Sequence, residues 1–559
     1  MNEVLAAFSV VFSFDTIAVI FLGALAGILI GIIPGLTANM GIALLLPLTY
    51  SFQGVSGILL LLGVYCGAVY GGSITAILIS TPGTPASAAT VLDGYPMAKR
   101  GEAGRALGLP TMGSLFGGIF STIALIVIAP MLATVATGFS APEYFAPAIF
   151  GISIITSVSS QSIIKGLIGG GIGLAIATIG LDPMTSGMRF TFDSIYLMGR
   201  ISFIPVLVGL FAFSQGLLST EEHFREGGIM QKPVAKITRI LPSWVDFKRC
   251  LPTWVRSSVI GAGIGTIPGV GGDISSWIAY NEAKRWSKHP GEFGKGSPEG
   301  VSAPEAGANA VSGGCMVPLM TLGIPGDGAT VIIMGAFLVQ GLALGPQLLT
   351  EHPVEVNTIF IGLMMANIFM GLLGFMGMKL FVKVMDVPRT LLVPVILLLC
   401  AVGAYTVNHS MIDVFVMMGA GLVAYILIKL DFSMSPIVIG IILGPLAETN
   451  LRRSLMMSQG DLSIFFMRPV CATFIVIAIL TLFLPIVSPM WKNWHQKTLK
   501  KSRTRRVISQ GCKPSRIIGC VVVRCYTASG VSRRGNALRD GVLFRISLWQ
   551  KRSSRSPMI

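Results

Sequence analysis

Two short stretches of this chain have the residue types of a small-ion binding device. They are "IGIIPGLTAN" at 30–39 and "IGTIPGVGGD" at 264–273. Each follows an apolar run and stops it with Pro-Gly. Proline has no N–H and clashes with the preceding turn, and glycine is flexible, so the pair ends a helix. In lipid, each freed backbone group would cost several kcal/mol. A break of this kind therefore persists only inside protein, around a polar cavity. There a restarting helix offers free N–H groups and a positive dipole end to an anion. The carbonyl end of the interrupted helix can hold a cation.

The same chemistry recurs downstream. "YGGSITAILISTPGTPAS" at 70–87 places Ser73, Thr75, Ser80, Thr81, Thr84 and Ser87 around Pro82-Gly83 and Pro85. These hydroxyls can donate to carboxylate oxygens. The chain carries IPG at 33–35, GG at 71–72 and TPG at 81–83, then IPG at 267–269, GG at 313–314 and IPG at 324–326. The offsets between corresponding motifs are 234, 242 and 243 residues. Such internal symmetry is a feature of transporter folds. The repeats can be parallel or inverted, because the parity of crossings is open. Aligned on IPG, Asn39 falls on Asp273, which makes the two a candidate ligand pair for a coupling cation, Na⁺ or H⁺. The alternative for Asp273 is a solvated residue near a membrane end.

The elements that must position these residues are membrane helices. The chain is 53% hydrophobic and 12% charged, with mean hydropathy +0.77, whereas soluble domains carry about 25% charged residues. Apolar windows long enough to span a bilayer occur at 113–136, 163–180, 355–378, 391–405, 411–428 and 470–489. Glu3 close behind Met1 and the lack of a small-residue cleavage site mark 16–33 as a retained membrane segment. The expected fold is an all-α polytopic membrane protein. Two structural repeats have Pro-Gly-broken or re-entrant helices that meet at a central site.

The polar stretch 219–256 is rich in Lys and Arg, as cytoplasmic loops are. It reads as a linker between a first membrane half, 1–218, and a second, 257–491. Basic loops at Lys99, Arg100 and Arg105, and at Lys284, Arg285, Lys288 and Lys295, fall on the same side. Residues 492–559 hold 17 basic groups against one acid, Asp540, which accounts for the whole net charge of +16. With no apolar period and no motif, this stretch reads as a disordered or aberrant extension without a nucleic-acid role.

Other chemistries find no support. The cysteines form no C-x-x-C pair and the five histidines are isolated, so neither a zinc site nor a disulfide framework is indicated. "GAGIGTIPG" at 261–269 has no strand–helix unit around it, and "GEFGKGS" at 291–297 lacks Walker spacing. No catalytic triad or nucleotide-driven pump emerges.

Three long stretches carry a family resemblance. They are "GGSITAILISTPGTPASAATVLDGYPMAKRGEAGRALG" at 71–108, "EFGKGSPEGVSAPEAGANAVSGGCMVPLMTLGIPGDGATVIIMGA" at 292–336, and the IPG at 33–35. With them the chain resembles the large membrane subunit of the tripartite tricarboxylate transporters over about 1–490; the segment after 490 does not match. The resemblance implies a multi-pass permease of the bacterial inner membrane. Its partners would be a small membrane subunit and a periplasmic solute-binding protein. It would take up citrate or another carboxylate, driven by a sodium or proton gradient. It carries over Pro34, Gly35, Gly72, Ser73, Thr75, Pro82, Gly83, Thr84, Pro85, Pro268, Gly269, Pro325 and Gly326 as substrate-site positions. Thr81 joins them as a neighbouring hydroxyl. Asp273 and Asp327 are not carried over. Rival readings are a solute channel, which needs a continuous polar pore, and a membrane-embedded enzyme, which needs an acid or histidine cluster at membrane depth.

Overall fold

Six helices are long and apolar enough to cross a membrane: Phe14–Ile32, Ser56–Ile79, Val91–Thr134 with its internal irregularity, Phe203–Glu221, Pro353–Val384 and Met411–Lys429. The computed structural model describes residues 2–33, 35–52, 54–136, 140–153, 162–182, 184–199, 201–226, 240–384 and 389–482. All of these lie in one compact unit, Met1–Pro485. Pro34, residues 227–239 of the expected linker, the end of the 470–489 window and the whole stretch 492–559 fall outside the described residues. Within the expected linker, the described residues include the end of helix Ser214–Glu226 and the start of helix Trp244–Gly265.

The 163–180 window forms a helix only over Ile163–Ala177. At about 1.5 Å per residue it is about 22 Å long, short of the ~30 Å hydrocarbon core. It stops because Gly180, at φ +121°, turns the chain into a hairpin that pairs Gly180 with Arg189 and Leu181 with Met188.

The Ser56–Ile79 helix is buried on every side from Gly57 to Leu78, as expected of a helix that is apolar all round. Its main neighbour is the Phe14–Ile32 helix. The two approach through glycines four residues apart, Gly23, Gly27 and Gly31 against Gly63, Gly67 and Gly71. This small-residue spacing lets backbones come close in a membrane. A methyl group on Gly27 would lie 2.8 Å from Val64 Cα, and one on Gly67 would lie 2.9 Å from the Ile28 amide.

The Trp244–Gly265 and Pro298–Leu322 helices meet in a matching way. A methyl on Gly71 would lie 2.6 Å from the Ile28 carbonyl oxygen and 3.1 Å from Gly31 Cα; one on Gly314 would lie 2.5 Å from the Ala262 oxygen and 3.0 Å from Gly265 Cα. Gly27 faces the Val64 carbonyl as Gly261 faces the Gly307 carbonyl. These contacts pair the first helices at an offset of 234 and the second helices at 243. Gly71 thus stands opposite Gly314, one residue away from the register suggested by the two GG pairs. The helix ends correspond at the same offset. Ser56–Ile79 closes on Ser80 in the left-handed conformation (φ +59°), and Pro298–Leu322 closes on Gly323 (φ +69°), the usual device for ending a helix.

Buried polar contacts join the early and late parts of the chain. Asp93 accepts from the amides of Gly296 and Ser297, both at 2.7 Å, and from Tyr280 Oη at 2.8 Å. Arg105 grips Asp246 with two nitrogens, at 3.0 and 2.6 Å, a bidentate geometry stronger than a single bond.

The glycine rows set a test. Gly27→Leu would force the Phe14 and Ser56 helices apart and should lower the unfolding midpoint in detergent, with overpacking of about 1–3 kcal/mol or more. Gly263, whose added methyl would meet nothing within 4 Å, is the control. Gly263→Ala should leave the midpoint unchanged or raise it slightly. Equal losses in both variants would show that close approach at Gly27 is not what the midpoint reads.

Candidate functional site

Each Pro-Gly break delivers its following residues to one cavity of about 100 Å³. After the break at 33–35 come Thr37, Ala38 and Asn39; after that at 81–83 come Thr84, Pro85 and Ala86. The break at 267–269 supplies Gly272 and Asp273, and that at 324–326 supplies Asp327. Tyr65 and Val69 from the Ser56 helix and Ala308 from the Pro298 helix complete the wall.

The cavity is therefore built from segment beginnings. Thr37 caps the Ala38–Leu45 helix, its Oγ1 accepting from the Met40 amide at 3.3 Å. Asp327 caps Gly328–Val339 with a reciprocal box: the Thr330 amide donates to Asp327 Oδ1 at 2.8 Å, and the Asp327 amide donates to Thr330 Oγ1 at 2.9 Å. Asp273 stands in the first turn of Gly271–Trp286. Three helix N-termini thus bear positive dipole ends near the cavity. Two carboxylates balance them. Asp273 is exposed, and Asp327 accepts from Tyr65 Oη at 2.5 Å.

Of the residues singled out by sequence, Asn39, Thr84, Pro85 and Asp273 line this cavity. A methyl on Gly328 would lie 2.6 Å from Asn39 Nδ2, so Asn39 reaches across to the start of the Gly328 helix. Ser73 and Thr75 are buried and turned back on their own helix, donating to Tyr70 O at 2.7 Å and Gly72 O at 3.2 Å. Thr81 likewise donates to Ile79 O at 3.4 Å.

The glycines and prolines shape the backbone behind the wall. The Gly83 amide donates to Gly72 O at 3.1 Å, and the Gly269 amide donates to Gly326 O at 2.7 Å. A methyl on Gly83 would lie 2.8 Å from Gly72 Cα, and one on Gly326 2.7 Å from Cys315 Cα. Pro82 and Pro268 are half-buried and Pro325 is buried. Gly35 is exposed at φ +94°, with open space around its Cα.

Sequence reasoning missed Tyr65 and set Asp327 aside. Both had a signal. Tyr65 places a hydroxyl in an otherwise apolar helix, where it needs a partner. Asp327 follows IPG as Thr84 follows TPG, at the offset of 243. Among the described residues no group of three His, Cys, Asp or Glu side chains could hold a metal ion. Cys66, Cys250, Cys315, Cys400 and Cys471 are free and buried, as packing residues are.

Residues 17–439 match the Tripartite tricarboxylate transporter TctA family. The chain belongs to the TctA family. As such it is the large membrane subunit of a tripartite tricarboxylate transporter, a multi-pass protein of carboxylate transport and not an enzyme. It is 37% identical over 463 residues to an Agrobacterium vitis protein described as "Uncharacterized 52.8 kDa protein in TAR-I ttuC' 3'region", covering 82% of this chain and 91% of the relative. A second A. vitis protein, described as "Uncharacterized protein in TAR-II ttuC' 3'region", is 33% identical over 227 residues, 41% of this chain and 94% of the relative. No solved structure matches.

The Tyr65–Asp327 bond ties the Ser56 helix of this TctA protein to the cap of the Gly328 helix. Hydrogen bonds to charged groups contribute about 1.5–3 kcal/mol. Tyr65→Phe and Asp327→Ala should each lower the unfolding midpoint, and the double variant should lose less than the sum. Strict additivity in this cycle would show that the two side chains do not interact.

Proposed function

We propose that this subunit carries a di- or tricarboxylate such as citrate inward across the bacterial inner membrane by cation symport. A periplasmic binding protein would deliver the solute, and a small membrane subunit would complete the assembly. The observation that carries this reading is the convergence of residues from four Pro-Gly breaks on one cavity. The equivalent glycine contacts of the Phe14/Ser56 and Trp244/Pro298 helix pairs support a two-repeat architecture with halves near 1–218 and 257–491.

The helix N-termini suit an anion, whereas Asp273 and Asp327 oppose one. Two like charges at a few ångströms repel by several kcal/mol at intermediate dielectric. A carboxylate substrate can share this cavity with the two aspartates only if a cation enters as well. That requirement favours symport over a simple channel. Asn39 and Asp273 are the proposed cation ligands, as side-chain oxygens at equivalent positions of the two halves. At about 100 Å³ the cavity is smaller than the ~300–1,000 Å³ of typical ligand pockets. The cycle therefore includes an opened state in which the broken segments separate.

Reconstitution of this chain with its small subunit and binding protein tests the reading. Citrate uptake should saturate, require the binding protein and respond to an imposed Na⁺ or H⁺ gradient. Flux that is linear in citrate and indifferent to the binding protein would favour a channel. Within the working system, Asp273→Asn should raise the cation concentration for half-maximal uptake more than it raises the citrate requirement. Asn39→Ala should act in the same direction but more weakly. Shifts confined to the citrate requirement would remove both residues from the cation site.

Gly83→Val and Gly326→Val should abolish uptake while the protein still reaches the membrane, because a branched side chain cannot fit against Gly72 or Cys315. Full activity of either variant would separate these breaks from transport.

A further inference from the structure

Glu305 lies in the Pro298–Leu322 helix with no exposed surface. Its Oε1 accepts from Thr90 Oγ1 at 2.6 Å. Its Oε2 is buried without a hydrogen-bond partner, and so is Oδ1 of Asn309. Asn309 Nδ2 is spent on Ser114 Oγ at 2.8 Å and on the Glu305 carbonyl at 3.3 Å. Residues four apart share a helix face. Two buried acceptor oxygens thus sit on one face with no partner at hydrogen-bond distance, and their neighbour Ser114, which accepts from Asn309, is a neutral hydroxyl. A hydrogen on Glu305 would turn one unpartnered acceptor into a donor, since a protonated carboxyl has an O–H to give.

The charged groups on the surrounding elements do not answer the need. On the Trp244 helix, Arg249 pairs with Glu292 at 2.7 Å and Glu299 at 3.2 Å. On the Ala103 helix, Arg105 pairs with Glu102 and Asp246. Asp93 of Val91–Met97 and Tyr280 of Gly271–Trp286 bond each other. Tyr70 of the Ser56 helix bonds Thr111 at 2.7 Å, and Tyr65 is bonded to Asp327. Cys66 and Cys250 are thiols, Glu351 of Pro346–Glu351 is a further acid, and the Gly328–Val339 helix has no titratable side chain. An ionised carboxylate buried without a cationic partner is far costlier than a neutral polar group.

Three buried hydroxyls lie on the segment between Glu305 and the cavity, with Ser87 and Thr90 joined through backbone and not hydroxyl to hydroxyl. Thr84 is part of the cavity wall, and its Oγ1 is 2.9 Å from Ser87 Oγ. The Thr90 amide donates to Ser87 O at 3.1 Å, and Thr90 Oγ1 reaches Glu305. The three hydroxyls recur every third residue and have at most 4% of their surface exposed. Glu305 also stands one helical turn from Ala308 of the cavity wall.

We propose that Glu305 is a proton-carrying site of this transporter, loaded from and unloaded to the cavity along Thr84, Ser87 and Thr90. In transfer, Thr90 passes its hydroxyl proton to Oε1 and takes one in return from Ser87 once the two side chains turn toward each other. Rotation of the carboxyl then carries the proton to the Oε2 position, on the face shared with Asn309, and the hydroxyls rotate back before the next passage. The coupling role rests on the transport reading above; the protonation of Glu305 does not.

Infrared spectroscopy of the full chain in lipid nanodiscs tests the site without substrate. At neutral pH the wild type should show the carbonyl stretch of a protonated carboxylic acid, absent from Glu305→Gln and unaffected by Na⁺. In D₂O, Thr90→Val should slow deuterium exchange of that band by about tenfold or more, the effect of losing one hydrogen bond on the transfer barrier. Identical wild-type and Glu305→Gln spectra would overturn the proposal, and so would a band that appears only after Na⁺ removal. Unchanged exchange in Thr90→Val would overturn the route. In proteoliposomes with the partner subunits, Glu305→Gln should exchange citrate across the membrane yet fail to accumulate it on a pH gradient. Accumulation at the wild-type level would overturn the coupling role. Failure of the wild type itself to move citrate would instead sink the transport reading and leave the infrared result standing.

Discussion

The Gly269 amide donates to the Gly326 carbonyl at 2.7 Å, and the Gly83 amide donates to the Gly72 carbonyl at 3.1 Å. Everything around the cavity depends on bonds of this kind. A chain that leaves its helix at membrane depth frees backbone groups that lipid cannot satisfy. Here one break bonds another in the later part of the chain, and a break bonds a neighbouring helix in the earlier part. The interruptions are tolerable because the protein brings backbone to backbone.

That approach explains the glycine rows. Gly31, Gly71 and Gly83 crowd together in one place, and Gly265, Gly314 and Gly326 supply small residues at the corresponding places in another. A side chain at these crossings would hold the segments apart and leave the amides unpaired. Once the breaks are packed in this way, the restarting segments have only one direction to go. Their first residues, Thr37 to Asn39, Thr84 to Ala86, Gly272 to Asp273, and Asp327, end on one wall. The cavity is thus a consequence of how the breaks are satisfied.

Much of this was legible in the sequence. The membrane class followed from apolar windows, and the meeting of Asn39 and Asp273 at one cavity follows the equal spacing of two IPG turns. Ser73, Thr75 and Thr81 bond nearby carbonyls and do not line the cavity, because a hydroxyl in or beside a helix can satisfy itself there, and sequence does not reveal which choice it makes. The partner of Tyr65 lies 262 residues away, beyond any local pattern. The GG pairs suggested a register one residue from the one the contacts show, since two adjacent glycines look alike in sequence but Gly71 and Gly314 alone of each pair face the partner helices Phe14–Ile32 and Trp244–Gly265. The 163–180 window looked long enough to span because hydropathy does not register the turn that Gly180 makes.

The wall of the cavity has an unusual balance. Three helix starts make it attractive to anions, and two aspartates make it attractive to cations. Asp327 is already occupied, capping its helix with one oxygen and accepting from Tyr65 with the other. Asp273 is exposed at the cavity, so its charge is the more available to an entering ion. A carboxylate arriving alone would gain the dipoles and meet the Asp273 charge. A carboxylate arriving with a cation would gain both. The difference between those two cases is a coupling free energy in the strict sense: each ligand raises the affinity for the other by the same factor. A cavity of mixed sign therefore favours the doubly loaded state over either singly loaded one.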